Sequence, residues 1–231
     1  MLVRSINRAG LLGAAAALLS AAPAAAATLA PITDCYRYAP TLAGQEWVGL
    51  TGSGFTPGTD PSFNGVRLAY SNGDLGGHAP LAADGSFADG FFMPSEFIRS
   101  DSGRVKKYTI TATDLANPAL TATTEVTFVR AGVITKPSSV RRNLGRRVRW
   151  SAYGAPSGAK LFVHWTFKGR RRATRSMGRA KGPCGIARKK LPFLPVTPRN
   201  GTWKVFITRG RKLKRKRALF RVDLSVFTTF R

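Results

Sequence analysis

The sequence predicts an all-β chain of two antiparallel β-sandwiches in tandem, following an N-terminal export signal. Short segments alternate apolar and polar residues with the period of two that half-buried strands show. Turn-forming pairs such as Asp84-Gly85 and Asn200-Gly201 separate these segments, and no helical periodicity follows residue 27. A segment of the first half also recurs in the second half. Two units of about seven strands each fit these observations, and a single larger barrel is the alternative.

The first 27 residues have the pattern of a secretory signal peptide. Arg4 and Arg8 supply the positive charge, residues 9–22 form an Ala-rich apolar stretch, and residues 25–27 read Ala-Ala-Ala, which matches an A-x-A cleavage site. The apolar stretch is shorter than the ~20 residues that a spanning helix needs, which disfavours a retained membrane anchor. We therefore expect the mature chain to be secreted, extracellular or associated with the cell envelope.

The two cysteines, Cys35 and Cys184, lie one in each half of the chain. Outside the cytoplasm an even number of cysteines favours a disulfide. A bridge between them would join the two halves and close a long loop, for which the chain-entropy model gives about 5 kcal/mol of stabilisation. The alternative is that each cysteine is a small buried residue.

An offset of 100 residues aligns part of the first half with the second. Residues 48–54, VGLTGSG, match residues 148–154, VRWSAYG, and Gly58 falls on Gly158. Later strand segments keep the same order: 108–113 corresponds to 203–208, and 124–129 to 220–226. Because internal repeats indicate duplicated units, the sequence predicts domains at 28–130 and 131–231, with a linker at 130–136.

Alternation is clearest in the second half. Val148, Trp150 and Ala152 share one face of a predicted strand, while Arg147 and Arg149 share the other. Over 161–168 and 203–208 the same alternation places every second side chain, the tryptophans among them, in the core and the intervening side chains in solvent. The residues predicted to lie in the core or at its edge are Trp150, Trp165 and Trp203, and the predicted solvent-facing residues include Phe162, His164, Thr166, Phe206 and Thr208.

One stretch of the first unit resembles a known kind of domain. Residues 52–58, GSGFTPG, followed by Asp84-Gly85-Ser86-Phe87, are similar to the strand-and-turn pattern of secreted bacterial immunoglobulin-like domains, including the antibiotic carrier neocarzinostatin. The resemblance implies immunoglobulin-like sandwiches and a small-molecule carrier as one alternative function. The second unit has Ala155-Pro156-Ser157-Gly158 in place of the Phe-x-Pro-Gly turn. Such carriers hold two disulfides within one domain, whereas this chain has one cysteine in each half.

Charge divides the chain unequally. Of the 37 Lys and Arg residues 28 lie beyond residue 130, where Asp223 is the only one of the 11 acidic residues. The formal charge is therefore +27 for 131–231 and −3 for 28–130. Such asymmetry predicts a polyanionic partner. The residues predicted to contact it are expected at hairpin tips: Arg170, Arg171, Arg172, Arg175, Arg211, Lys212, Lys214, Arg215, Lys216 and Arg217.

Export makes anionic polymers or polysaccharides of the cell envelope the first candidate partner. Nucleic acid and an anionic membrane surface are alternatives, and exposed Phe162 or Phe206 would then be available to stack on bases. A solvated surface rich in Arg through genome composition is the remaining interpretation. The sequence thus favours a non-enzymatic adhesion or structural module whose first unit is a near-neutral spacer.

No motif in the sequence indicates an enzyme. His78, placed in a loop over residues 72–78, and His164 have no companion at metal-ligand spacing. The chain contains no G-x-S-x-G, H-E-x-x-H or phosphate-binding loop, and most acidic residues of the first half sit in turn-like contexts. We expect no metal, cofactor or catalytic residue, and an enzyme with an unrecognised site between the units is the alternative.

Overall fold

The computed structural model describes residues 26–38, 46–58, 65–91, 93, 105–140 and 143–227. Nearly all of the predicted signal peptide lies outside these residues. Within them the regular structure is β, apart from one turn of 3-10 helix at Arg215–Arg217. None of their helices has the length and apolar character needed to cross a membrane.

The first half forms two sheets. One has the strand order β1-β3-β6 and the other the order β2-β8-β7-β4-β5. Only β2 runs parallel to its neighbour, β8; the other pairs are antiparallel. The strands are β1 Thr28–Pro31, β2 Tyr36–Tyr38, β3 Val48–Ser53, β4 Gly65–Tyr70, β5 Leu75–Pro80, β6 Phe87–Phe91, β7 Val105–Asp114 and β8 Thr121–Arg130.

The second half repeats this architecture with seven antiparallel strands. A sheet of order β13-β10-β9 faces a sheet of order β12-β11-β14-β15. The all-β, immunoglobulin-like sandwich fold that the sequence predicts is confirmed. The strands are β9 Gly132–Lys136, β10 Arg147–Tyr153, β11 Lys160–Phe167, β12 Arg170–Arg179, β13 Ala187–Pro192, β14 Gly201–Thr208 and β15 Phe220–Val226.

Each half has its own hydrophobic cluster. The second is built around Trp150, Trp165 and Trp203, each no more than 1% exposed, as their alternation predicts. The Trp150 and Trp165 rings meet edge to face, 5.6 Å between centroids, across the two sheets. Their indole N–H groups donate to the carbonyls of Pro192 and Phe193, so burying the rings leaves no donor unsatisfied.

The strand pairing keeps the 100-residue offset. Gly52 lies opposite Phe87 in the β3–β6 pair, and Ala152 lies opposite Ala187 in the β10–β13 pair. The repeat seen in the sequence is therefore also a repeat of register.

A glycine contact recurs at the same offset. The N–H of Phe55 donates to the carbonyl of Gly85, and that of Ala155 donates to the carbonyl of Gly185, both at 3.2 Å. Gly85 and Gly185 have φ of 74° and 56°. A Cβ on them would lie 2.1 Å and 1.6 Å from the carbonyl oxygens of Phe55 and Ala155. Both positions therefore need glycine.

The junction between the halves is shorter than predicted. Residues 132–136, expected in a linker, form β9 and pair with β10, so Ala131 alone separates β8 from β9. Cys35 and Cys184 are joined in a disulfide with a Cα–Cα distance of 5.3 Å. The bridge packs with Val129 and Tyr153 in a small cluster of its own. The domain limits 28–130 and 131–231 stay a prediction.

Candidate functional site

The first predicted cluster of cations lies along an edge strand. Lys168 and Gly169, with φ of 44° and 74°, form the two-residue turn between β11 and β12. The arginines at 170–172 and 175 therefore lie on β12 itself rather than on the hairpin tip, and all four are exposed. Because β12 is the edge of its sheet, these charges also discourage pairing with another chain.

The second cluster belongs to the connection between β14 and β15, and we call Arg209–Arg217 the basic loop. The sequence predicts that it projects into solvent as a tip. Instead it folds back over the outer face of the four-stranded sheet. The carbonyl of Gly210 accepts a hydrogen bond from His164, and the Arg215 guanidinium donates to the carbonyl of Gly169 at the far end of β11.

His164 anchors the start of the basic loop. Its Nε2 donates to Thr208 Oγ1 at 2.8 Å and to the Gly210 carbonyl at 3.2 Å, because the Thr208 hydroxyl itself donates to that carbonyl. Its Nδ1 accepts from the Thr174 hydroxyl at 2.9 Å. The pKa of His164 lies below its usual value, chiefly because the imidazole is buried. The hydrogen bond to Gly210 raises the pKa, and the charge of Arg171 lowers it further. The imidazole is therefore neutral at pH 7.

Several residues that were predicted to face solvent on this sheet are buried instead. His164 is fully buried, Thr166 and Thr208 are buried, and Phe206 is only 8% exposed. Phe162 is half-buried, with the Lys160 ammonium over its ring. Alternation identified the two faces correctly, but it carried no information about a loop that covers the outer one. Phe206 is therefore not available to stack on bases.

The basic loop encloses a concave cationic surface. A depression of about 480 Å³ is lined by Thr208, Gly210 and five cations: Arg209, Arg211, Lys212, Lys214 and Arg217. A second depression of about 440 Å³ lies between the loop and the sheet, where Lys204, Arg215 and Arg221 approach Phe206. Both depressions are lined by several N–H donors and by no acidic side chain among the described residues. This arrangement suits the oxygens of phosphate or carboxylate groups.

All ten residues predicted to contact a polyanion are exposed. None of them forms an ion pair with a carboxylate within the described part of the chain. Asp223, the only acidic side chain beyond residue 130, is held by Arg221 through hydrogen bonds of 2.9 and 2.8 Å. Those hydrogen bonds keep the pKa of Asp223 below its usual range. These ten cations therefore face solvent with no acidic partner among the residues that the structure describes.

A third group of cations was not among the predicted site residues. On the three-stranded sheet, Arg149 of β10 lies directly opposite Lys136 on β9 and Lys190 on β13. All three are exposed, and we call them the cationic row. The alternation of β10 predicted that Arg149 points outward. The row itself depends on strand pairing between distant segments, which alternation alone does not reveal.

A small cleft of about 290 Å³ lies beside the disulfide, between residues of both halves. It contains Arg37 and Glu46, whose side chains pair at 3.5 Å. Neither histidine lines it: His164 is buried in the second sandwich, and His78 lies on β5 opposite Arg67 rather than in the predicted loop. The described residues contain no cluster of His, Cys, Asp or Glu able to hold a metal ion.

The sequence matches no family model and no curated protein. Among solved structures, a tetra-tandem repeat from the extending region of a large adhesion protein is 17% identical, with a TM-score of 0.27 over 88% of this chain and 50% of that one. A putative membrane anchored protein from Corynebacterium diphtheriae is 11% identical, with a TM-score of 0.33 over 79% and 54%. A Group B Streptococcus pullulanase is 14% identical, with a TM-score of 0.25 over 84% and 23%.

This chain spans about half the length of the first two of these solved chains.

Proposed function

We propose that this chain is an exported, non-enzymatic surface module whose second unit adheres to anionic polymers of the cell envelope. The observation that carries the proposal is the set of ten exposed cations on β12 and the basic loop, none of which has a carboxylate partner among the described residues. The first unit, with its formal charge of −3, acts as a near-neutral spacer.

Binding of this kind needs no deep pocket. Exposed Lys and Arg side chains stay hydrated until the ligand arrives, so the protein does not bear the cost of burying an unpaired charge. A polyanion that contacts them releases its condensed counterions, which drives binding at low salt. It also relieves the repulsion within a unit of charge +27.

The choice of ligand follows from the predicted export and from the loss of an aromatic platform. Nucleic-acid binding to single strands relies on aromatic side chains that stack on bases, and Phe206 is only 8% exposed. Envelope polymers that carry phosphate or carboxylate groups require only charge and hydrogen-bond donors. We therefore place them ahead of nucleic acid.

The test measures the affinity of residues 28–231 for immobilised poly(glycerol phosphate) at low salt, with an acidic polysaccharide and single-stranded DNA as parallel ligands. A variant with all ten cations replaced by Gln is expected to lose at least a hundredfold in affinity for poly(glycerol phosphate). A control variant, in which Arg67, Lys106 and Lys107 of the first unit become Gln, is expected to bind as the native chain does.

A loss in log affinity per removed cation that is as large in the control as in the ten-cation variant would contradict the proposal, since the effect would then follow net charge and not the described surface. Tighter binding to DNA than to either envelope polymer would replace the envelope with nucleic acid as the ligand.

A further inference from the structure

The cationic row gives the second unit a charged surface apart from the basic loop. Arg149 occupies the middle strand of the three-stranded sheet, with Lys136 opposite it on one side and Lys190 on the other. Side chains directly opposite in antiparallel strands have Cβ atoms about 5 Å apart. Arg147, two residues before Arg149 on β10, and Arg188, two residues before Lys190 on β13, lie on the same face, and both are exposed.

A row of like charges is unfavourable for the isolated protein. Like charges repel more strongly the closer they lie, and like charges directly opposite in a sheet are destabilising. Asp223 cannot relieve the repulsion, because it lies on β15 of the other sheet and is paired with Arg221. An anion laid across the strands would neutralise the row, whose Cβ positions repeat at about 5 Å across the strands and 7 Å along them.

The row and the basic loop lie on opposite sides of the sandwich. Trp150 of β10 packs against Trp165 of β11, so the inner faces of the two sheets meet there. Arg149 alternates with Trp150 and points away from that core, while the loop covers the outer face of β11 through His164. Facing sheets lie about 10 Å apart, so the two surfaces point in opposite directions from a thin module.

The geometry points to a bivalent module, in which the basic loop with β12 binds one phosphate-bearing polymer chain and the cationic row binds a second. The protein would then cross-link anionic chains as well as adhere to one. This inference rests on the proposed function, because it assigns the same class of ligand to both sides. The competing arrangement is one polymer chain that wraps around the edge formed by β12 and β13, which contact each other.

The test uses residues 28–231 and two phosphate probes. Linear pentaphosphate is too short to reach around the sandwich, and calorimetric titration with it is expected to give two sites per molecule. Long-chain polyphosphate is expected to produce strong light scattering near charge equivalence, because a bivalent protein joins chains into a network.

Three variants separate the two surfaces. Replacing Lys136, Arg149 and Lys190 by Gln is expected to leave one pentaphosphate site and to reduce the scattering at least tenfold. Replacing Arg211, Lys212 and Lys214 by Gln is expected to leave one site as well. Replacing Arg67, Lys106 and Lys107 by Gln, which removes the same number of cations from the first unit, is expected to leave two sites and full scattering.

A native chain with one pentaphosphate site, or a row variant that still scatters fully, would overturn the bivalent arrangement while leaving the proposed function standing. A native chain that binds neither phosphate probe would overturn both. Retention of the loop site in the row variant shows at the same time that this variant is folded.

Discussion

The two sandwiches share one scaffold but differ in whether their surface cations are paired with carboxylates. In the first, Lys107 pairs with Glu125 across β7 and β8, and Arg37 pairs with Glu46. In the second, Arg149 lies between two further cations, and the basic loop has no acidic partner among the described residues. Since both units keep the same register and the same glycine contacts, the fold does not require the excess positive charge. The excess positive charge belongs to the surface of the second sandwich alone.

The largest effect is expected from substitutions at the shared glycine contact. Each should destabilise its own unit by a similar amount. Gly85→Ala and Gly185→Ala each add a Cβ in a positive-φ position against a backbone carbonyl. Left-handed strain together with overpacking costs about 3 kcal/mol, and denaturant unfolding of the single variants measures it.

Gly158→Ala is the matched control for this pair. Gly158 has φ of 73° but nothing within 4 Å of the added Cβ, so only the strain of about 1 kcal/mol should remain. A loss as large as that of Gly185→Ala would mean that the carbonyl contact is not what requires glycine.

Polyanion should stabilise the second sandwich and not the first. At a polyphosphate concentration a hundred times the dissociation constant, linkage gives about 2.7 kcal/mol. Hydrogen exchange of the full chain distinguishes the units: protection should rise at Trp165 and Val205 of the second core and stay unchanged at Leu68 and Ile110 of the first. Equal increases in both cores would remove the distinction between the two surfaces.

Acid should weaken the second sandwich through His164. Because burial lowers its pKa in the folded state, the unfolded chain takes up a proton first, near pH 6.5. Stability is therefore full above that pH and falls as the pH drops toward the folded-state pKa, by at most about 1.4 kcal/mol per pH unit.

His164→Gln keeps a polar side chain without a group that titrates in this range. It is expected to flatten the dependence between pH 6.5 and 5 in urea unfolding curves, even if the variant is less stable throughout. An unchanged slope would assign the dependence to another group.

The smallest effect on stability is expected when single charges on the surfaces of the two sandwiches are reversed. Arg149→Glu converts two like-charge contacts with Lys136 and Lys190 into attractive ones and should stabilise the chain by about 0.5 kcal/mol at low salt. Lys107→Glu places a second carboxylate beside Glu125 and should destabilise it by a similar amount. The melting temperatures should converge at high salt; a stabilisation by Arg149→Glu that persists there would have a different cause.

Local patterns in the sequence were enough to predict the fold class. Alternation placed Trp150, Trp165 and Trp203 in the core, and the offset of 100 residues located β3 and β10 as equivalent strands of the two halves. The site was only partly predictable. Exposure of the cations follows from their charge, but the cover over His164 and Phe206 depends on where the basic loop packs.

The cationic row was missed for a related reason. Lys136, Arg149 and Lys190 come from three strands that are separated in the sequence, and their alignment is set by register. Alternation fixes which face a residue takes, whereas the identity of its neighbour depends on long-range pairing. The prediction of a linker over 130–136 missed β9 at 132–136 and, with it, one end of the row.

The central claim, that the cations of the second sandwich bind phosphate-bearing polymers directly, is tested most directly by the salt dependence of affinity for long-chain polyphosphate. Each neutralised phosphate on a single chain contributes about −0.7 to the slope of log affinity against log salt concentration. Replacing Arg211, Lys212 and Lys214 by Gln should make that slope about two less negative, and replacing Arg67, Lys106 and Lys107 should leave it unchanged. An identical slope for the native chain and the loop variant would contradict direct contact.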